Sequence, residues 1–595
     1  MRMNLRSLGA VLLLSVASPA LAHAQSEMAD ETNASTIEQI VIDYEALIRS
    51  IDPGEAARAQ DRAPDRWADV SPERIEQTAE AARALLARLQ QVEDQSTPEW
   101  KILSHLLESH IAEAEFDTAR MPFNGDWGFQ AEPLYAARQV RIQNEDDAEA
   151  WLSRLNAIPR YFNDHKANMR RGIETGWTSH KDPLATTTAQ ISEQANVTPE
   201  ESGLYSPLKT LPDTISPEAQ AMIQASGRRA VAKAIEAYAE ALYFMEGTYA
   251  PAAREDAGIA NLEGGKDYYA AAIANHTAGA GYSPEEIHEL GEREVARIRG
   301  EMETIIEELG YPGSFEDFQN FLRTDAQFYA ETPEDLLEKA SRLSKRLDAI
   351  LPAYFGKLPR LTYGVIPVPA EIAPGYTTGR YSSGDLEKGI EGNYLVNTYA
   401  LDQRPLYELP ALSAHEAVPG HHLQISLAQE LEDVPRFRQQ YYATAFGEGW
   451  GLYAEKLAGE AGIYETPYER FGALSMEMWR ACRLVADTGL HWYGWSREEA
   501  EECFTKNSAL APLNIQTEVT RYIGWPGQAT AYKIGELKIL ELRAAAKKAL
   551  GADFDIRDFH DVVLGAGALP LDALEARVVA WIESETGAGS AIEVE

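Results

Sequence analysis

Three of the twelve histidines in the chain fall within one short stretch, His415-Glu416-Ala417-Val418-Pro419-Gly420-His421-His422. Neutral imidazoles are good zinc ligands, and a glutamate beside one of them can act as base toward a water on the ion, which is the logic of the His-Glu-x-x-His helix. Here the residue four positions after His415 is Pro419, so the usual second ligand is missing. On a straight helix His421 would lie roughly 240° around and about 9 Å along from His415, too far for one ion. Pro419 removes a backbone donor and Gly420 tolerates unusual backbone angles, so the pattern predicts a bulge or kink that returns His421 to His415. His421 is assigned as the second ligand, with His422 as its competitor or as a group that orients the site.

A catalytic zinc commonly has three protein ligands and a water. Glu448, in Gly447-Glu448-Gly449-Trp450-Gly451, is the third candidate, because its flanking glycines admit a neighbouring helix closely. Glu455, seven residues on, shares nearly the same helical face and is placed to hold a histidine in one tautomer. Glu416 is the expected general base. Tyr532 or Tyr522 is the expected donor to a developing oxyanion, and Arg521, Gln528 and Lys533 beside them are expected to contact substrate. Asp487 and His491, four residues apart, are expected to face the same cleft as supporting groups. The cofactor expected is one Zn2+ per chain.

The elements that must position these residues are mostly helices. Ser/Thr-Pro-Glu occurs at Ser71, Thr97, Thr198, Ser216, Ser283 and Thr332, where a hydroxyl can cap, proline fits the first helical position and an acid meets the positive helix end. At Ser283 the last Glu of Ser283-Pro284-Glu285-Glu286 completes a capping box. Residues 354–399 break this pattern with prolines and glycines and end in an extended-looking Asn393-to-Tyr399 run. That predicts a small β element whose exposed edge, at Asn393 and Asn397, is placed to pair with an extended peptide, or which is a purely structural hairpin. The fold class expected is mainly α, with two helical lobes around a deep cleft: an N-terminal lobe at 25–353 and a C-terminal catalytic region at 354–595.

Arg2 and Arg6, an apolar stretch from Leu8 to Ala17 and small residues near Ala22 read as a secretory signal over residues 1–24, which predicts an exported, periplasmic chain, soluble after cleavage. No cysteine stands near the cleavage site, so no lipid tether is expected. No other stretch approaches a membrane span. Length and composition, 595 residues with 45% hydrophobic, allow a large core. A formal charge of -39 argues against nucleic acid or anionic membrane surfaces as partners. Cys482 and Cys503, the only cysteines, are expected as buried thiols across one helical stretch.

Taken together, the stretch from His415 to Gln424, Glu448 to Glu455, Arg483 to His491 and Trp525 to Lys533 resembles the bacterial family called domain of unknown function 885, and Tyr268-Tyr269 and the Ser283 segment also fit. That family is similar to all-helical gluzincin peptidases of the oligopeptidase and angiotensin-converting-enzyme type. The resemblance implies His415, His421 and Glu448 as ligands and Glu416 as base. The resulting expectation is a zinc metallopeptidase acting on short peptides. The alternatives are a metal-dependent amidase acting on non-peptide or cyclic amides, and a non-catalytic peptide-binding protein of the same fold.

Overall fold

A computed structural model describes residues 36–587 except 126, 371, 374, 375 and 433; the expected signal segment 1–24 lies outside the described residues. Helix accounts for 69% of the structure and strand for 4%, so the fold is mainly α. Five of the six Ser/Thr-Pro-Glu signals start helices, with Ser71, Thr97, Ser216, Ser283 and Thr332 each accepting a backbone N–H at the cap. At Thr198 the hydroxyl instead donates to Glu201 at 2.7 Å, and the chain turns before Gly203 and Pro207. A glycine and a proline so close behind the cap leave no room for a helix to propagate.

The elements that position the candidate site are the helices α1 (Gly265–Thr277), α2 (Pro284–Glu308), α3 (Leu409–Glu416), α4 (His421–Gln429), α5 (Thr444–Glu460), α6 (Pro467–Thr488), α7 (Pro512–Gly524) and α8 (Ala531–Leu550). Three strands accompany them: β1 (Tyr363–Pro367), β2 (Gly379–Ser382) and β3 (Gly392–Val396). The strand order is β1-β3-β2, with β3 parallel to β1 and antiparallel to β2. The small β element is therefore present, but β3 is its central strand. Its backbone is paired on both sides, so the exposed edge expected at Asn393 is not there. Asn397, just beyond β3, is fully buried and donates to the carbonyls of Ala373 (2.9 Å), Tyr376 (3.0 Å) and Thr377 (3.1 Å). It ties a loop down and has no face left for substrate.

Three apolar cores hold the chain. One is confined to residues 123–249 of the N-terminal half. A second gathers α2, α6, α7 and the sheet. The third gathers α5, α8 and the C-terminal helices, together with the helices that carry Ile40, Leu85 and Leu103. Helix α3 lies between the second and third, giving Leu409 and Leu412 to one and Ala414 to the other. All eight of its residues are buried. A cavity of about 920 Å3 lies between residues 124–261 and 494–521, lined by His180, Asp182, Asn261, Arg497, Thr520 and Arg521 among others.

Helices α5 and α8 cross backbone to backbone. A Cβ on Gly449 would lie 2.4 Å from the Gly535 carbonyl carbon, and one on Gly535 would lie 1.8 Å from the Ala445 carbonyl oxygen. Cys482 of α6 and Cys503 of the helix Arg497–Asn507 form a disulfide, correcting the expectation of free thiols. The stretch between them is not one helix: Gly494, at φ +76, reverses the chain and lays the second helix back against α6. Among the described residues no helix is long and apolar enough to cross a membrane.

The close crossing predicts that Gly535→Ala, although a helix-favouring change, lowers stability by about 1–3 kcal/mol. Chemical denaturation of the two proteins side by side measures it, with the midpoint moving down.

Candidate metal centre

The expected bulge in the histidine helix is a complete break. Helix α3 stops at Glu416, the Val418-Pro419 peptide is cis, and α4 begins at His421. Between them the Gly420 N–H bonds back to the Ala414 carbonyl at 2.9 Å, and the His422 N–H bonds to Ala417 at 3.0 Å. This return is tight enough that a Cβ on Gly420 would sit 1.9 Å from the His415 carbonyl oxygen. Glycine at this position lets the chain fold over His415, and the His415 and His421 rings meet at 4.7 Å and 89°. The Trp450 indole donates to the Pro419 carbonyl at 2.8 Å and fixes the turn to α5.

Helix α5 then brings Glu448 to the pair. Glu448 Oε2 lies 3.5 Å from His415 Nε2 and 3.4 Å from His421 Nε2. Those separations exceed an ordinary charge-assisted hydrogen bond of about 2.7–2.9 Å. They match the edge of a tetrahedron whose centre is about 2.0–2.1 Å from each donor, which is roughly 3.3–3.4 Å, the size of a zinc site. The three ligand atoms lie within 4.8 Å of one another, the grouping of this kind found among the described residues. One helical turn past Glu448, Gly451 lies flat against the His415 ring, where a Cβ would be 2.5 Å from Cε1.

The surrounding groups orient these donors. Glu455 Oε1 accepts from His415 Nδ1 at 2.8 Å and is itself 3.2 Å from the Arg480 guanidinium. With its proton on Nδ1, His415 turns the Nε2 lone pair toward Glu448 and His421. His421 Nδ1 is buried with no partner. Burial opposes a charge on His415, but the carboxylates of Glu448 and Glu455 outweigh it and raise its pKa to about 10. Burial would likewise raise the Glu448 carboxyl, but the imidazoles of His421 and His415 hold it well below the usual carboxylate range. The centre is thus arranged to stabilise positive charge, whether proton or metal cation. Glu416, also buried, accepts the backbone N–H of Tyr381 in β2 at 2.7 Å.

His422 points elsewhere. Its Nδ1 pairs with the Tyr381 hydroxyl at 3.0 Å and its Nε2 with the Leu361 carbonyl at 3.0 Å, and burial lowers its pKa to about 4. As a neutral ring with both nitrogens used, it fastens α4 to the sheet. Of the two histidines the sequence left open, His421 is the one that faces Glu448.

Of the residues expected around a reacting group, several are spoken for. The Tyr522 hydroxyl accepts from Trp479 and Arg483, both at 3.0 Å, and donates to Glu518 at 3.0 Å; a saturated, buried phenol cannot serve an oxyanion. Lys533 is fully buried among Glu477 (2.7 Å), Glu536 (2.7 Å) and Glu294 (3.1 Å), carboxylates that outweigh burial and raise its pKa. It bonds α8 to α2 and α6 and does not meet substrate. His491 gives Nε2 to the Tyr522 carbonyl at 3.0 Å. Asp487 accepts from the Tyr269 hydroxyl at 2.6 Å and the Gly527 N–H at 2.9 Å, so it fixes the turn that carries Gln528. Arg521 then links Gln528 (2.7 Å) to the Tyr532 hydroxyl (3.1 Å). Asn393 is half-buried on the middle strand.

The sequence reading assigned no role to Tyr381, Arg480 or Tyr442. The Tyr442 hydroxyl donates to Glu448 Oε1 at 3.2 Å. Its signal was its place, six residues before the candidate ligand and two before the start of α5.

The chain belongs to the family described as bacterial protein of unknown function (DUF885), whose profile matches residues 53–578. Two solved structures share the fold. One, described as "the putative lipoprotein from Colwellia psychrerythraea", is 26% identical with a TM-score of 0.85 and covers 92% of this chain and 100% of its own. The other, from Shewanella oneidensis and described as a "putative lipoprotein of unknown function", is 17% identical with a TM-score of 0.72 over 92% of this chain and 100% of its own. No curated protein matches the chain.

Removing the His415 orienter without touching a ligand, Glu455→Gln should weaken zinc binding by about 10–100-fold, measured by competition with a chromophoric chelator. Asp487 predicts a pH effect. Burial raises its carboxyl to about 7, above the unfolded value of about 3.9, so the folded state holds this proton more tightly and stability from this group falls as pH rises from about 4 to about 7. Denaturation of the two proteins side by side across that window should show the stability of Asp487→Asn, relative to wild type, improving as pH rises.

Proposed function

We propose that this chain is a zinc-dependent hydrolase that cleaves peptide bonds in short peptides. The observation that carries the reading is the convergence of His415, His421 and Glu448 at zinc-ligand spacing on the residue next to Glu416, a buried carboxylate held by a backbone N–H. His415 Nε2, His421 Nε2 and Glu448 Oε2 would hold the ion. A zinc ion there supplies Lewis acidity, polarising a carbonyl and acidifying a water. A non-catalytic binding protein has no use for a base in the Glu416 position.

The chain's own residues account for the proton balance. Glu416 takes a proton from the attacking water as the new C–O bond forms at the amide carbon. It then passes that proton to the departing nitrogen as the C–N bond breaks, leaving a carboxylate and an amine. Glu455 and Arg480 keep His415 in one tautomer throughout. The Tyr381 N–H holds one oxygen of Glu416 in place, and the charge of Glu416 acts on His415. Glu448 retains only 15% of its side-chain exposure, a degree of burial that suits a short peptide better than a folded domain. The resemblance to all-helical gluzincin peptidases and the signal-like N-terminus support an exported peptidase working in the periplasm.

The test is metal content by mass spectrometry of protein purified without chelator, beside turnover on a peptide library. About one zinc per chain is expected. Glu416→Gln should keep the metal and lose about 10²–10⁴-fold in turnover. Cleavage undiminished in that variant, or no zinc taken up after loading, would sink the reading.

A further inference from the structure

Tyr442 stands between the candidate metal ligands and solvent. Glu448 turns Oε2 toward the two imidazoles and leaves Oε1 to the Tyr442 hydroxyl, at 3.2 Å. As a residue Tyr442 is 43% exposed, whereas Tyr522 is buried and Tyr532 is 7% exposed. It can lie there because the neighbouring helix position is Gly447, where a Cβ would be 2.4 Å from the phenol carbon and oxygen of Tyr442. Glu416 and Tyr532 are among the groups whose charge acts on the same hydroxyl. The residue lies in the non-helical stretch 441–443, between the helix Arg436–Gln440 and α5, so its side chain is not locked by a helical neighbour on its own turn.

We propose that Tyr442 is a catalytic residue of this centre, the hydroxyl that donates to the carbonyl oxygen of an incoming amide as negative charge gathers on it. The proposal rests on the hydrolase reading above and deepens it. A donor aimed at developing charge is among the strongest contributions a protein makes to acyl transfer. Tyr522 cannot supply it, because three partners already occupy its hydroxyl. Tyr532 accepts from Arg521 and sits deeper. Of the three, Tyr442 is the exposed residue and the one whose hydroxyl lies on the candidate ligand carboxylate. A substrate oxygen arriving on the open side of Glu448 takes over that hydrogen bond. No proton leaves the phenol: it donates to Glu448 before the reaction and to the substrate oxygen during it.

The experiment compares wild type, Tyr442→Phe and Glu416→Gln, each zinc-loaded, on the best-cleaved peptide of the library. A calorimetric titration with a phosphinic peptide analogue, a tetrahedral anion, runs beside it. Tyr442→Phe keeps the ring and removes only the hydroxyl. Its turnover should fall about 100-fold with KM changed by less than about twofold. Affinity for the phosphinic analogue should drop markedly, while zinc content and thermal midpoint stay at wild-type values. Normal turnover in Tyr442→Phe while Glu416→Gln is dead overturns the inference and leaves the hydrolase reading standing. Lost zinc with normal turnover per bound ion overturns it too, making the tyrosine a holder of Glu448. If cleavage survives in Glu416→Gln, or no peptide is cut, the hydrolase reading fails first. The titration then judges Tyr442 alone, and equal affinity of wild type and Tyr442→Phe for the analogue overturns its role.

Discussion

Everything at the candidate centre depends on how closely backbone can approach backbone around His415. The chain returns over its own helix at Gly420, against the His415 carbonyl, where a methyl group would overlap an oxygen atom. Gly451 of α5 lies against the face of the same imidazole, and Gly449 lies against Gly535 of α8. Without these contacts α5 would stand off by the thickness of a side chain, and Glu448 would not reach two imidazoles at once. The glycines hold these three side chains together by what they leave out, since the close-packed interior offers no space to compensate for an added carbon.

That packing places charge where burial is costly, and the structure answers with pairing. Glu455 sits between His415 and Arg480, Arg483 pairs with Glu518 at 2.8 Å, and Lys533 is enclosed by three carboxylates. Each of these fixes the relative position of two or more helices as well as satisfying a charge. At the centre itself the balance is left uneven. Glu416, Glu448 and Glu455 face the histidines with Arg480 as the nearby fixed cation, an arrangement that favours a further positive charge among them.

A broken helix also explains how an unusual spacing brings two histidines together. With Pro419 four residues after His415, the second histidine must come from beyond the turn. The Trp450 hydrogen bond to the Pro419 carbonyl and the hydrogen bonds of His422 to Tyr381 and Leu361 hold that turn from both sides. One of two adjacent histidines is thereby directed to the centre and the other to the sheet, because successive side chains at the start of α4 point about 100° apart.

The amino-acid sequence by itself determined where five of the helices begin, since a capping hydroxyl followed by proline and an acid acts within a few residues. It also marked the cluster at 415–422 and the glycine-flanked Glu448, because rare residue types at close spacing are visible without a fold. Tertiary structure alone decided that β3 is a central strand, that Cys482 meets Cys503, that Lys533 and Tyr522 are enclosed by partners and that Tyr442 stands at the ligands. Each of those outcomes turns on which distant segment arrives beside a residue. Spacing along the chain carries no record of that, and the packing of α5, α6 and α8 supplies it.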